Sequence, residues 1–381
     1  MKAIDTILEE RLEQRSVKGL LRSLTLGDPA RIDFASNDYL GLARSKTLFD
    51  DIRDDVDRLG DKTNGSSGSR LLTGNSPLIE EVEAMLSTIF ISEATLIFNS
   101  GYTANLSVLS SLPQRGDTII YDEYAHACMK DGARLSMAKR LSFRHNDLDD
   151  LEAKLKVAQG HIFIAVESIY SMDGDECPLR EIVALARAFG AKIILDEAHS
   201  TGTMGAGGAG LAVSLGLEKQ IAVRIYTFGK AMGIHGACVA GSTQLKRYLI
   251  NFARPFIYTT APDPHSIIAI RCSFKYLRNH LYLQDQLKEI IGAFVENTQG
   301  CSGRTRSTSA IQGFICPGNE NVKEAARKLQ DQGFDVRAIL SPTVPAGAER
   351  LRICLHTYNS MQEVSAIAQQ LTLLSSGHGD Q

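Results

Sequence analysis

Two periods run through the apolar positions of this chain. Between residues 5 and 23, Ile7, Leu8, Leu12, Leu20 and Leu21 recur at near-helical spacing with a break at Gly19, which predicts an amphipathic lead-in helix. Residues 33–40 read as a short extended piece and a turn. Runs at 95–98, 118–121, 161–166, 192–195, 221–226 and 237–240 are short, apolar and mostly separated by helical patterns. Strands with no polar face, alternating with helices, belong in a mostly parallel sheet covered on both sides, so the fold class is α/β.

After Pro264 a helical pattern reaches about Asn297, and residues 313–316, 322–329, 335–339 and 350–355 predict a small α+β unit. The expected organisation is an N-terminal helix and extended arm over 1–44, a large α/β domain over 45–262, and a connecting helix with a small C-terminal α+β domain over 263–381. Residues 375–381 read as a loose tail.

The chain has 381 residues, 44% hydrophobic and 22% charged, enough for substantial cores. A net charge of -3 supplies no broad positive field, which argues against nucleic acid or an anionic membrane as the main partner. The seven cysteines are scattered with no C-x-x-C pair, so reduced thiols in the cytoplasm are expected rather than a disulfide framework or a cysteine-ligated zinc site, and no metal is assigned. The opening Met1-Lys2-Ala3-Ile4-Asp5 leads into mixed charge, and no run of about 20 apolar residues follows.

Small-molecule chemistry is therefore the expectation, and Lys230 focuses it. Thr227-Phe228-Gly229-Lys230-Ala231 follows the strand-like run 221–226, and Asp196-Glu197-Ala198-His199 closes the run 192–195. Ligands of open α/β sheets sit at the carboxyl ends of strands. A lysine amine and an aspartate there suit pyridoxal phosphate, the amine forming a Schiff base and the carboxylate holding the pyridine nitrogen protonated.

Two other motifs compete and lose. Asp196 to His199 spells the DEAH box of a helicase, but no G-x-x-x-x-G-K-[ST] loop exists to cradle phosphates. Gly205-Ala206-Gly207-Gly208-Ala209-Gly210 fits the dinucleotide fingerprint G-x-G-x-x-G, yet residues 199–204 separate it from the strand, and a loop is the better reading.

The turn in Phe98-Asn99-Ser100-Gly101-Tyr102-Thr103-Ala104-Asn105 opens a helix whose free amides suit a phosphate, although an ordinary strand-to-helix turn would look the same. Thr227 adds a hydroxyl candidate. His126 follows another strand end and is placed to stack on a pyridine ring, with a plain loop histidine as the alternative. His199, three residues after Asp196, faces the same ligand if a helical turn follows. Glu167 or Ser171 can line the pocket.

Together with Ser36-Asn37-Asp38-Tyr39-Leu40-Gly41-Leu42, the loop Gly65-Ser66-Ser67-Gly68-Ser69-Arg70, the run Arg254 to Thr260, and Pro342 to Arg352, these segments span almost the whole chain in order. They resemble the α-oxoamine synthases, a family of fold-type I pyridoxal phosphate enzymes. The resemblance implies pyridoxal 5'-phosphate as cofactor and a homodimer with active sites at its interface. Each site would join an amino acid to an acyl-CoA or acyl-ACP thioester with loss of carbon dioxide. It assigns Lys230 to the Schiff base, Asp196 to the ring nitrogen, His126 to stacking, and His199 and Ser171 to the phenolic oxygen. Gly101, Tyr102 and Thr227 match phosphate contacts, Thr259 and Thr260 the stretch that completes the phosphate site of the other subunit, and Asn37 and Arg352 the holders of the amino-acid carboxylate. The arginine used toward the acyl chain is assigned to Arg22, with Arg15 as the alternative. Ile79 stands where many members carry a histidine, so that position receives no chemistry. The run from Ser341 to Ile353 and the compact length are most similar to the branch using L-alanine and a pimeloyl thioester. Sister branches take glycine or serine. A catalytically silent relative would lack the Schiff-base lysine, which this chain retains.

Overall fold

The computed structural model describes residues 4–60 and 62–376. A two-residue strand, β1 (Ile32–Asp33), precedes the central sheet of β2 (Ala94–Phe98), β3 (Thr118–Asp122), β4 (Lys139–Phe143), β5 (Ile162–Glu167), β6 (Lys192–Asp196), β7 (Val223–Thr227) and β8 (Ala237–Gly241). The sheet order is β2-β8-β7-β6-β5-β3-β4. The pairs β3–β4, β3–β5, β5–β6 and β6–β7 are parallel, whereas β8 runs antiparallel to β7 and β2.

Alternation along the buried strands builds two layers. Ile119, Ala165, Ile194 and Ile225 pack with the helix Gly101–Ser111 side, while Ile120, Ile164, Val166, Ile193 and Leu195 pack against the helix Leu179–Phe189. All six expected strands are present within a few residues of their predicted ends. The strand that the apolar pattern missed is β4, Lys139-Arg140-Leu141-Ser142-Phe143, which lies at the sheet edge with Lys139 and Arg140 exposed. An edge strand carrying cations has no apolar run to find.

The predicted stretch from Pro264 to Asn297 is two helices, Pro264–Asn279 and Tyr282–Asn297. The first is capped by Asp263, whose side chain accepts from Ser266 N, with Pro264 at its start. It ends where His280 Nδ1 donates to the Tyr276 carbonyl at 2.8 Å. Beyond lie β9 (Ile311–Ile315), β10 (Phe334–Asp335), β11 (Arg337–Ile339) and β12 (Arg350–Cys354), with β11-β12-β9 forming an antiparallel sheet. Its core joins the helices Asn319–Asp331 and Met361–Ser376, and it also takes in Phe34. The parallel pair β1–β10 makes the same connection, so the end of the N-terminal arm belongs physically to the C-terminal unit.

The lead-in helix spans Ile4–Val17 with none of its residues buried in this chain. Of the expected tail, Ser375 and Ser376 are helical and residues 377–381 lie outside the described residues. Among the described residues no helix is long and apolar enough to cross a membrane.

Candidate active site

Parallel register sets the site. Glu167 at the end of β5 lies opposite Asp196 at the end of β6, and Thr227 ends the adjoining β7. The chain then turns back at Gly233, which has φ 67 and leaves no room for a side chain against Ala43 N, 2.2 Å from the position a Cβ would take. Lys230 falls in this turn. The resulting cavity of about 280 Å³ is lined by Asn37, Gly101, Tyr102, Asn105, His126, Glu167, Asp196, His199, Thr227 and Lys230, with His235 at its rim.

A polarised chain of hydrogen bonds reaches the lysine from the C-terminal unit. Arg352 Nη2 donates to Asn37 Oδ1 at 2.9 Å, which fixes the amide orientation because a guanidinium cannot accept. Tyr39 then gives its only proton to the same oxygen at 3.0 Å. Its phenol oxygen must accept from His199 Nδ1 at 2.8 Å, leaving Nε2 free to accept from Lys230 Nζ at 2.9 Å. Burial pushes the Tyr39 phenol up, so it keeps its proton. Burial likewise pushes the His199 imidazole well below its ordinary value, and Lys230 and Arg352 add to the effect. The Lys230 amine is pushed down by burial against the opposing pull of Asp196 and Glu167. A neutral imidazole therefore faces an amine that gives up its proton readily.

Asp196 is held from two sides, Oδ1 by Ala198 N at 2.8 Å and Oδ2 by Asn105 Nδ2 at 2.7 Å. Asn105 lies one helical turn after Gly101, whose carbonyl takes the same Nδ2 at 3.1 Å. Its Oδ1 is buried without a partner among the described residues. Glu167 accepts the His126 backbone N–H at 2.6 Å and so sets that residue above the cavity floor. Burial and the neighbouring Asp196 push the Glu167 carboxyl up to about 8. His126 is pushed down by burial, and its Nδ1 lies 2.9 Å from Cys128 Sγ.

The anion cradle is the start of the helix Gly101–Ser111. Ser100 caps Thr103 N, leaving the first amides unpaired. A Cβ on Gly101 would stand 2.2 Å from Thr227 Cγ2, so only glycine allows the approach. Tyr102 is half exposed and donates to Asp131. Thr259 and Thr260 do not line this cavity, although the Thr260 carbonyl accepts from Asn99 Nδ2 at 3.0 Å. The glycine-rich stretch 205–210 serves a different end. Gly210 starts a short helix whose Leu211 and Ala212 amides go to the buried Glu197 carboxylate at 2.8 and 2.9 Å, which leaves them nothing for a dinucleotide.

A larger cleft of about 820 Å³ meets the cavity at His126 and is walled by Arg22, Tyr124, Ser171, Asp173 and residues 341–346. Ser171 thus faces this cleft, and its carbonyl takes Arg352 Nε at 2.6 Å. Arg350, buried in β12, pairs with Asp173 across to the large unit. The sequence pattern singled out neither Tyr39 nor Asn105 as a site residue. The signal for Asn105 was its four-residue spacing from Gly101, and for Tyr39 only its place beside Asn37.

A family model for aminotransferase class I and II matches residues 29–367. The 8-amino-7-oxononanoate synthase of Emericella nidulans is 38% identical over 97% of this chain and 95% of its own length. A high-resolution structure of SPT with PLP internal aldimine overlays with a TM-score of 0.88 at 25% identity, covering 100% of both chains. The crystal structure of 8-amino-7-oxononanoate synthase from Francisella tularensis overlays with a TM-score of 0.80 at 27% identity, covering 92% of this chain and 99% of that one.

Proposed function

Because the chain belongs to the aminotransferase class I and II family, we propose that it is a pyridoxal 5'-phosphate-dependent 8-amino-7-oxononanoate synthase, condensing L-alanine with a pimeloyl thioester and releasing carbon dioxide in biotin synthesis. The observation that carries this reading is a half-buried lysine, its amine 2.9 Å from a buried neutral histidine, in the cavity that also holds Asp196. Full-length similarity to 8-amino-7-oxononanoate synthases supports the substrate pair.

The cavity fits the cofactor. The Gly101 and Tyr102 amides with Thr227 would take its phosphate, Asp196 its pyridine nitrogen, His126 its ring face, His199 its phenolic oxygen and Lys230 its aldehyde carbon. When bound, pyridoxal phosphate supplies an electron sink for the pair left on the amino acid's Cα by loss of a proton and later of carbon dioxide. The chain supplies the rest. Asn105 and the Ala198 amide hold Asp196 as an acceptor aimed into the site. Arg352 and Asn37 take the alanine carboxylate. Lys230, its pKa lowered by burial, removes the Cα proton as a neutral base and returns one to the product. His199 accepts from that amine and keeps it oriented between these steps. Arg22 meets the far end of the acyl chain in the larger cleft, which Arg15 does not line.

The working form is a homodimer in the cytoplasm, with Thr259 and Thr260 completing the partner's phosphate site. In support, Thr260 is exposed and neither residue lines the cavity of its own chain. The test is thiol release from pimeloyl-CoA by the cofactor-loaded protein with L-alanine, glycine and L-serine in parallel. Turnover with alanine alone is expected. Turnover only with glycine and a short acyl-CoA would move the protein to a sister branch.

A further inference from the structure

The acyl cleft continues outward into a second one of about 660 Å³, and the two share Arg22, Met172 and residues 341–343. Its opposite wall is the end of the helix Ile4–Val17 and the turn that follows. Arg11, Arg15 and Lys18 line that wall at spacings of four and three, which brings them to one side. All three are exposed, and among the described residues no Asp or Glu lines the cleft. None of them forms an ion pair with a carboxylate among the described residues. The wall is pinned in place, because Gly19 at φ 63 gives its carbonyl to Lys323 Nζ at 3.0 Å.

Three cations with no carboxylate partner among the described residues give this wall of the concavity a local positive potential that favours an anion between them. The chain as a whole is acidic, at -3, so this charge is local. The size suits a small molecule, whereas a protein partner would need on the order of 1,000 Å² of matching surface. A thioester whose acyl chain lies in the inner cleft must send its carrier outward, and coenzyme A carries a diphosphate and a 3'-phosphate there. We propose that this outer cleft binds the phosphorylated nucleotide end of a CoA thioester, with Arg11, Arg15 and Lys18 against its phosphates. The assignment rests on the thioester chemistry proposed above and selects coenzyme A over a carrier protein.

The test compares the cofactor-loaded protein with its R11Q/K18Q variant, both changes being at exposed side chains outside the catalytic cavity. Free coenzyme A, titrated calorimetrically at low and high salt, should bind the variant at least tenfold more weakly, with a flatter salt dependence. The KM for pimeloyl-CoA should rise by a similar factor with kcat within twofold. The KM for the pimeloyl thioester of N-acetylcysteamine, which has no nucleotide, should not move. Unchanged coenzyme A affinity, or equal KM shifts for both thioesters, overturns the proposal, as does a shift confined to pimeloyl-ACP. If the parent protein turns over no thioester, the synthase reading fails by itself, and the coenzyme A titration still decides whether these cations hold phosphates.

Discussion

Two histidines shielded from solvent in this molecule, the half-buried His145 and the buried His199, differ in charge, and their neighbours are the reason. His145 follows β4 with its ring stacked 4.3 Å from Tyr124, and donates to Asp122 Oδ1 at 3.0 Å and Asp175 Oδ2 at 2.8 Å. Burial pushes its pKa down, but the two carboxylates overcome that and raise it to about 10. His199 follows β6 and contacts a phenol and an amine instead, so burial, Lys230 and Arg352 all push the same way and it stays neutral. Burial alone would leave both rings neutral; the partner carboxylates are what charge His145. His145 is a charged brace behind Tyr124 and Tyr170, which face the acyl cleft, and His199 is an uncharged acceptor inside the cofactor cavity.

The comparison breaks hardest at the amine. Lys230→Ala removes both the base and the group that faces His199, and thiol release should fall by at least about a thousandfold. Asp196→Asn keeps the shape but removes the carboxylate and leaves one acceptor oxygen for the two donors Ala198 N and Asn105 Nδ2, and turnover should fall by roughly a hundredfold or more while the cavity still takes up cofactor. Near-normal rates in either variant would remove Lys230 and Asp196 from the roles given to them.

Much of this was legible because strand ends and turns announce themselves in one dimension. The apolar runs ending at Glu167, Asp196 and Thr227 placed three site residues side by side as soon as the sheet was read as parallel. What was not legible depends on contacts between distant segments. Nothing in the spacing of Asp33 or Phe34 says that this stretch pairs with β10 and joins the C-terminal core, yet that pairing delivers Asn37 and Tyr39 to the cavity. The brace at His145 was equally hidden, since Asp122 ends β3 while His145 and Asp175 lie in two separate loops, with no common motif. Edge strand β4 escaped because its charges face solvent.

Exchanging the two histidines in turn sharpens the contrast. His199→Gln should lower kcat by ten- to a hundredfold with little change in thermal midpoint. His145→Gln should do the reverse, costing about 3 kcal/mol of stability at pH 6 after allowance for partial solvent screening. The pH dependence has a definite sign. The folded pKa of His145 lies above the ordinary 6.5, so its contribution is complete below about 6.5 and is lost as pH rises toward about 10. The stability gap between the parent and His145→Gln should therefore narrow across that window, as read from thermal midpoints at fixed ionic strength. A gap that stays flat would mean the imidazole is not charged in the folded protein.

The smallest effect tests how His199 is kept neutral and aimed. Tyr39→Phe deletes one oxygen from the line Arg352–Asn37–Tyr39–His199–Lys230 and leaves the ends intact. His199 Nδ1–H then has no acceptor, a buried unpaired donor worth about 1 to 2 kcal/mol, and the ring gains freedom to adopt the other tautomer with Nε2–H turned toward the lysine. Such a tautomer cannot accept from Lys230, so kcat should drop about three- to tenfold. The KM for alanine should stay near the parent value, because Arg352 still fixes Asn37. Asn37→Ala should show the opposite split, with KM raised more than kcat is lowered, since it removes a group assigned to the substrate carboxylate. If Tyr39→Phe instead raised KM and left kcat alone, Tyr39 would belong with the carboxylate holders, and the tautomer of His199 would have to be fixed by Lys230 itself.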